Sequence, residues 1–350
     1  MKKRLATSMA ALLSAQVSAE PALNYAELFS HPSQTLNETR HYSVHLPRSY
    51  QQSPNKHYPV LYLLDGENRM LQVSGIANSF QGGLSAEVPE LIIVGIHNTD
   101  RMRDYTPTHY EKLPSGEDVA WYKNTGGGKQ FLNYLTTELM PVIDHDYRTT
   151  NPNLLVGHSL GGLISLDALS QHETYFQGVI SIDPSLWFDY PNYYKTLKSK
   201  LNKPFTTPAA LYLAIANNPF TPGLGRDNFH RDNLKRFSQD VAPSANSQLQ
   251  FKSEYYPQQD HHTVYHLAVY QGLKWLFDGY ALDSAPEKLQ LESIKENYQR
   301  LNQRFNSQLK PDASALDSLA KKGERWPLMQ ISPKEIQRIK AYFYPSSEQQ

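Results

Sequence analysis

The sequence predicts an α/β fold, a mostly parallel sheet flanked by helices, with a small helical appendage at the C-terminus. Three observations predict it. Short apolar runs rich in Val, Ile, Leu and Tyr recur between Tyr42 and Tyr256, and segments with helical periodicity separate them. Such alternation is the pattern of strands joined by crossover helices. After Gly279 the composition shifts toward Gln, Asn, Lys and Glu.

The elements follow in order. Residues 1–19 read as a removable export signal: Lys2, Lys3 and Arg4 precede an apolar stretch, 5–15, and Val17-Ser18-Ala19 supplies a small-residue end. That stretch is far shorter than the ~20 apolar residues of a membrane span. No later run approaches that length, so the expected protein is soluble and exported, periplasmic or secreted. Residues 20–282 form the expected α/β domain, with strands at 41–46, 58–64, 91–96, 153–156, 178–182, 209–216 and 249–256. Their near-continuous apolar character fits strands buried on both faces. Phe131, Leu135, Leu139 and Val142 mark one face of an amphipathic helix, and a last helix of the domain is expected over 264–278. Residues 283–350 form the appendage. Ile294, Tyr298, Leu301, Phe305 and Leu309 make one helical stripe. Ser332-Pro333-Lys334-Glu335 then reads as an N-cap, a first-turn Pro and a capping-box Glu, with Ile336, Ile339 and Phe343 as the apolar face that follows.

Composition narrows the function. The 350 residues are 39% hydrophobic and include 23 Tyr and 13 Phe, enough for one large core. Lys+Arg and Asp+Glu are 34 each, and loss of the leader leaves a small acidic excess, so nucleic acid and anionic membranes are not expected partners. There is no Cys, which excludes disulfides, thiol catalysis and Cys-ligated zinc.

The strongest chemical signal is Gly157-His158-Ser159-Leu160-Gly161, between the apolar run Leu154-Leu155-Val156 and a helical pattern from Leu163. A GxSxG sequence in the order strand, motif, helix is a nucleophile elbow, the hallmark of the α/β-hydrolase fold. The small residues permit a strained turn that lifts Ser159 above the sheet edge. A serine hydroxyl needs a base to become a nucleophile at neutral pH, and in this fold the base comes last in the chain. Asp260-His261-His262-Thr263-Val264 follows the last expected strand, and His261 is the candidate base. His262 and His266 have helical i, i+4 spacing but no evident third ligand, so no metal and no cofactor are expected. The orienting acid should follow strand 209–216, where Asp227 is preferred; Asp183, after strand 178–182, is the main alternative, and an unassisted Ser159/His261 dyad is a third arrangement. The oxyanion hole needs two backbone donors, one from Leu160 and one from the turn after strand 58–64, at Gly66.

These stretches together resemble the esterase D/enterochelin esterase-like branch of the α/β hydrolases. The resemblance spans about Tyr42 to Tyr280. It rests on YPVLYLLDGE at 58–67, IIVGIHNTDRMRDYTP at 92–107, GGGKQFLNYLTTELMPVIDHDYRT at 126–149, VGHSLGG at 156–162, DPSLWFD at 183–189 and DHHTV at 260–264. It implies carboxylic ester hydrolysis without a metal, with Ser159 as nucleophile, His261 as base and Gly66 and Leu160 as oxyanion donors. It also implies that Arg101 and Trp187 border the substrate, the first as a fixed cation for a carboxylate or phenolate, the second as a flat face for an aromatic ring. The last block departs from the family's His-Gly-Ser at His262 and Thr263, and the acid position is not cleanly matched. The expected activity is a metal-independent serine esterase acting on a small-molecule ester, with catecholate siderophore (enterobactin-like) esters the sharpest substrate class. The alternatives are a broad acyl or feruloyl esterase, an acyltransferase, and an inactive hydrolase-fold binding protein.

Overall fold

The computed structural model describes residues 25–81, 86–171, 175–241, 248–282, 285 and 288–345, so the export signal expected at 1–19 lies outside the described residues. The chain opens with β1 (Glu27–Ser33), β2 (Glu38–His45), β3 (Tyr58–Leu64), α1 (Gly66–Ser79), β4 (Ile92–Ile96) and α2 (Arg101–Asp104). It continues through α3 (Gly128–Tyr134), a π-helical turn, α4 (Met140–Asp146), β5 (Thr149–His158), α5 (Leu160–Ser170), β6 (Gly178–Ile182) and α6 (Asn192–Leu201). Then come β7 (Ala209–Ala216), a hairpin of β8 (Phe220–Thr221) and β9 (Gly225–Arg226), α7 (Phe229–Val241), β10 (Leu249–Tyr256) and α8 (Val264–Leu276). Three helices close the described chain, α9 (Leu291–Phe305), α10 (Ala313–Arg325) and α11 (Pro333–Phe343). No helix among the described residues is long and apolar enough to cross a membrane.

The sheet has eight strands in the order β1-β2-β4-β3-β5-β6-β7-β10. β1 and β2 are antiparallel additions at one edge; from β4 to β10 every pairing is parallel. Strict alternation survives inside the apolar runs. Tyr58, Val60, Tyr62 and Leu64 of β3 enter the core on one face, while Leu61 and Leu63 enter the core on the other. Both faces need cover, and α3 to α7 supply it on the first, α1 and α8 on the second.

The appended helices extend the second core instead of building their own. α9 buries Ile294, Tyr298, Leu301 and Phe305 in the same cluster as Leu273, Leu276 and Phe277, each such side chain contributing roughly 1.5–3 kcal/mol of burial. Arg304 donates from Nη1 to the carbonyls of Trp275 (2.8 Å) and Leu276 (2.7 Å), the end of α8. α11 starts as expected, with Ser332 Oγ accepting from the Glu335 amide.

Six parallel strands therefore deliver their carboxyl ends to one edge. In open α/β sheets ligands bind at that edge. Three consecutive strand ends in the middle of the sheet carry a non-glycine residue at positive φ: Asp65 (57°) after β3, Ser159 (60°) after β5 and Asp183 (41°) after β6. Such conformations cost of the order of 1–3 kcal/mol each and concentrate at functional sites.

Candidate active site

The elbow has the geometry its sequence predicts. Ser159 has φ 60° and ψ −118° and leads directly into α5. Its amide donates to Ile182 O (3.0 Å), and its carbonyl accepts from Leu163 (2.9 Å) and Ser185 (3.0 Å), which hold the strained turn from three sides. Glycine is required beneath it, because a Cβ on Gly157 would lie 2.1 Å from the Gly161 carbonyl oxygen. The Ser159 hydroxyl exchanges a hydrogen bond with Ser185 Oγ at 3.0 Å.

His261 lies in the loop between β10 and α8, where Asp260 Oδ1 accepts from the amides of His262 and Thr263, both at 2.8 Å. The carboxylate that meets His261 is Asp183: Nδ1 is 2.6 Å from Oδ2. Asp183, not the preferred Asp227, reaches the imidazole. Asp227 is exposed, and its Oδ1 accepts from the Phe229 amide (3.1 Å), the turn that starts α7. The carboxylate that meets His261 thus comes from the end of β6, the alternative position at Asp183, and not from the loop after β7.

Asp183 is fully buried. Oδ1 accepts from the Ala216 amide (2.9 Å); Oδ2 accepts from both His261 Nδ1 and His230 Nε2, the latter at 3.0 Å. Burial alone would raise its pKa, but the hydrogen bonds from His230 and then His261 outweigh it and hold the carboxyl well below the usual range. An ionised carboxylate only accepts, so both imidazoles donate to it. Neutral His261 consequently carries its proton on Nδ1 and its lone pair on Nε2, the tautomer a general base needs. His158 supports the loop from behind: its Nε2 donates to the His261 carbonyl (2.7 Å), with ring centroids 4.4 Å apart. Burial, then the neighbouring His261, pushes the His158 pKa down to about 3.

Gly66 and Leu160 are the first residues of α1 and α5. The first amides of a helix have no acceptor within it, and the helix dipole there favours negative charge. The two helix starts adjoin: a Cβ on Gly161 would be 3.5 Å from Asp65 Oδ2. At Gly66 itself a Cβ would meet the Gly95 carbonyl carbon at 2.4 Å, so no larger residue fits. Arg101 ties the two starts together, donating from Nε (2.7 Å) and Nη2 (3.0 Å) to the Asp65 carboxylate and from Nη2 to the His158 carbonyl (3.2 Å). The cation expected to face a ligand is thus largely engaged with the protein. Trp187 is 9% exposed and packs edge-on against Phe188, so little of its ring is open to a ligand.

Among the described residues, Asp183, His230 and His261 are the group whose ligand atoms could converge on a metal. At about 2.0–2.2 Å from zinc, neighbouring ligand atoms stand about 3 Å or more apart, and the 2.6 Å contact between His261 and Asp183 is a hydrogen-bond distance.

The family model described as "Putative esterase" matches residues 33–275, well over half of the chain. The chain belongs to that family. An IroE-like serine hydrolase from Shewanella oneidensis has the same fold, with a TM-score of 0.85 and 36% identity over 91% of this chain and 99% of its own. The ferri-bacillibactin esterase of Bacillus subtilis is 31% identical over 185 residues, 48% of this chain and 64% of that one. The apo-salmochelin esterase of Escherichia coli O6:H1 is 28% identical over 236 residues, 62% of this chain and 72% of that one. The mostly parallel sheet with C-terminal helices agrees with the hydrolase fold of the Shewanella protein, and membership of the family marks this chain as a hydrolase of the esterase kind.

Sequence reasoning missed His230, His158 and Ser185. His158 adjoins Ser159, and Ser185 lies two residues from both Asp183 and Trp187, so closeness in the chain was the available signal. His230 had none beyond its type.

Proposed function

We propose that the protein hydrolyses a carboxylic ester through an acyl-enzyme on Ser159. The observation that carries the proposal is the Asp183–His261 hydrogen bond at the edge where the elbow presents Ser159. His261 Nε2 takes the Ser159 hydroxyl proton as Oγ attacks the ester carbonyl carbon. The amides of Gly66 and Leu160 stabilise the oxyanion. As the carbon–oxygen bond to the alcohol breaks, His261 returns the proton to the leaving oxygen. Water then attacks the acyl-enzyme, gives its proton to His261, and the acid departs as Ser159 regains its hydrogen. No step uses a metal or cofactor.

We further propose a catecholate siderophore ester as substrate; the esterases named for ferri-bacillibactin and apo-salmochelin support this class. The leader-like sequence at 1–19 supports export to the periplasm or beyond. The test is an ester panel from p-nitrophenyl acetate to a catecholate trilactone, with and without chelator, and with fluorophosphonate labelling. The expected result is turnover of the trilactone, labelling abolished by Ser159→Ala, and indifference to chelator. Chelator-dependent activity restored by zinc, or labelling that survives Ser159→Ala, would overturn the mechanism; turnover confined to simple acyl esters would overturn the substrate class. Arg101→Ala should lower kcat/KM on both ends of the panel, because its bonds go to Asp65 and His158; a loss confined to the trilactone would show that it contacts the substrate.

A further inference from the structure

His230, the second residue of α7, is 1% exposed. Its amide donates to the buried Thr221 Oγ1 of the β8–β9 hairpin (3.0 Å), which fixes where the ring stands. Nε2 reaches Asp183 Oδ2 at 3.0 Å, the same oxygen that receives His261 Nδ1. Nδ1 is buried without a hydrogen-bond partner among the described residues. That bare nitrogen is informative. An N–H there would be an unpaired buried donor, so Nδ1 holds a lone pair and Nε2 the proton. A bare buried acceptor is itself unfavourable, and Phe or Leu would fill the space without it. What histidine adds at this position is the Nε2–H on Asp183.

We propose that His230 is a positioning residue for ester hydrolysis: its Nε2–H fixes Asp183 Oδ2 in line with His261 Nδ1 and shares the charge on that oxygen. The inference rests on the reading of Ser159 and His261 as nucleophile and base. With the Ala216 amide on Oδ1 and two imidazoles on Oδ2, the carboxylate has no freedom to rotate away. Removing the His230 donor leaves more negative charge for His261 alone, which favours the protonated, inactive base. Among the described residues, the other imidazoles near His261 are His158 at the end of β5 and His262 in its own loop, with ring centroids 4.4 and 5.2 Å away, and Asp260 of that loop is bound by the amides of His262 and Thr263; none replaces a donor on Asp183.

His230→Phe fills the ring volume without a donor, His230→Leu is a second donorless variant, and His230→Gln keeps an N–H at similar reach. In the donorless variants kcat should fall roughly 10- to 100-fold, the worth of a hydrogen bond to a charged group. KM should hold and the acidic limb of kcat/KM should move to higher pH; His230→Gln should restore both. Equal impairment of all three variants with an unmoved limb, or wild-type kinetics in a folded donorless variant, would reduce His230 to core packing. A nitrogen-resolved NMR spectrum of the histidine rings in the wild-type chain tests the same point without variants or turnover. It should find His230 protonated at Nε2 and His261 at Nδ1; the opposite His230 tautomer would overturn the inference. If wild-type protein turns over no ester and Ser159 takes no label, the functional reading falls, and the ring spectrum still reports separately on the two donors.

Discussion

Two buried carboxylates in this chain are held in contrasting ways. Asp104, after β4, is fully buried and takes Arg40 Nη1 (2.6 Å) and Arg103 Nε (2.7 Å). The same arginines clasp Glu38 on β2, Arg103 through a two-pronged contact at 2.7 and 3.0 Å. Asp183, equally buried, is held by two imidazoles and one amide. Guanidinium keeps its proton at any pH a protein survives, whereas imidazole exchanges one near neutrality. The first arrangement can only fasten, and it fastens β2 to the segment that presents Arg101. The second can fasten and still let a proton pass, which suits it to the strand ends around Ser159.

Exchanging one partner at a time tests that contrast. The largest effect is expected for Asp183→Asn, which should lower kcat by up to about 10⁴-fold by admitting the wrong His261 tautomer, while the folded fraction stays high. A small loss would instead favour a Ser159/His261 dyad. Arg40→Met should do the reverse. It strands part of the charge on Asp104 and should cost roughly 3–5 kcal/mol in chemical denaturation, with activity per folded molecule little changed. A third, smaller effect lies in acid. Hydrogen bonding to Arg103, then to Arg40, outweighs burial and lowers the Glu38 pKa from 4.5 to about 2. Because its folded pKa is depressed, Glu38 contributes stability that is present above pH 4.5 and lost as pH falls toward about 2. Glu38→Gln should flatten that part of a stability–pH curve, and an unchanged acid slope would assign the loss to other carboxylates. The smallest effect is expected at Asp227→Asn: an asparagine can still accept from the Phe229 amide, so kcat should stay within about twofold and stability within about 0.5 kcal/mol.

The inner parallel strands were legible because they are buried on both faces. Every residue of β3 and β7 is buried, so burial and sequence pattern coincide. β1 was not legible: it is an edge strand with exposed Leu28 and with Pro32 near its end, and its seven residues bury only one side chain. α10 buries only Leu316 and Leu319 as large apolar side chains, too few for a visible stripe. In the site, Ser159 was marked by the small residues around it and His261 by chain order. Neither signal reaches the carboxylate that meets His261. β6 and β7 are neighbours and end at the same edge; an aspartate follows β6 at once and β7 only after the β8–β9 hairpin. Which of the two carboxylates turns inward depends on the backbone at the strand end. Asp183 takes a positive φ of 41°, and its amide donates to Ala214 O (2.8 Å), a bond across the sheet that no local pattern records.

α8 joins the two ends of this molecule. It begins three residues after His261, and Arg304 of α9 holds its last carbonyls. Fraying at either end of a helix this short shortens the remaining ladder of amide bonds, so α8 and α9 should behave as one cooperative unit in hydrogen exchange. The amides of 264–276 and 291–305 would then become deuterated in a single opening event, and that event would also release the loop bearing His261. The appended helices would thereby set how long the loop stays closed between openings.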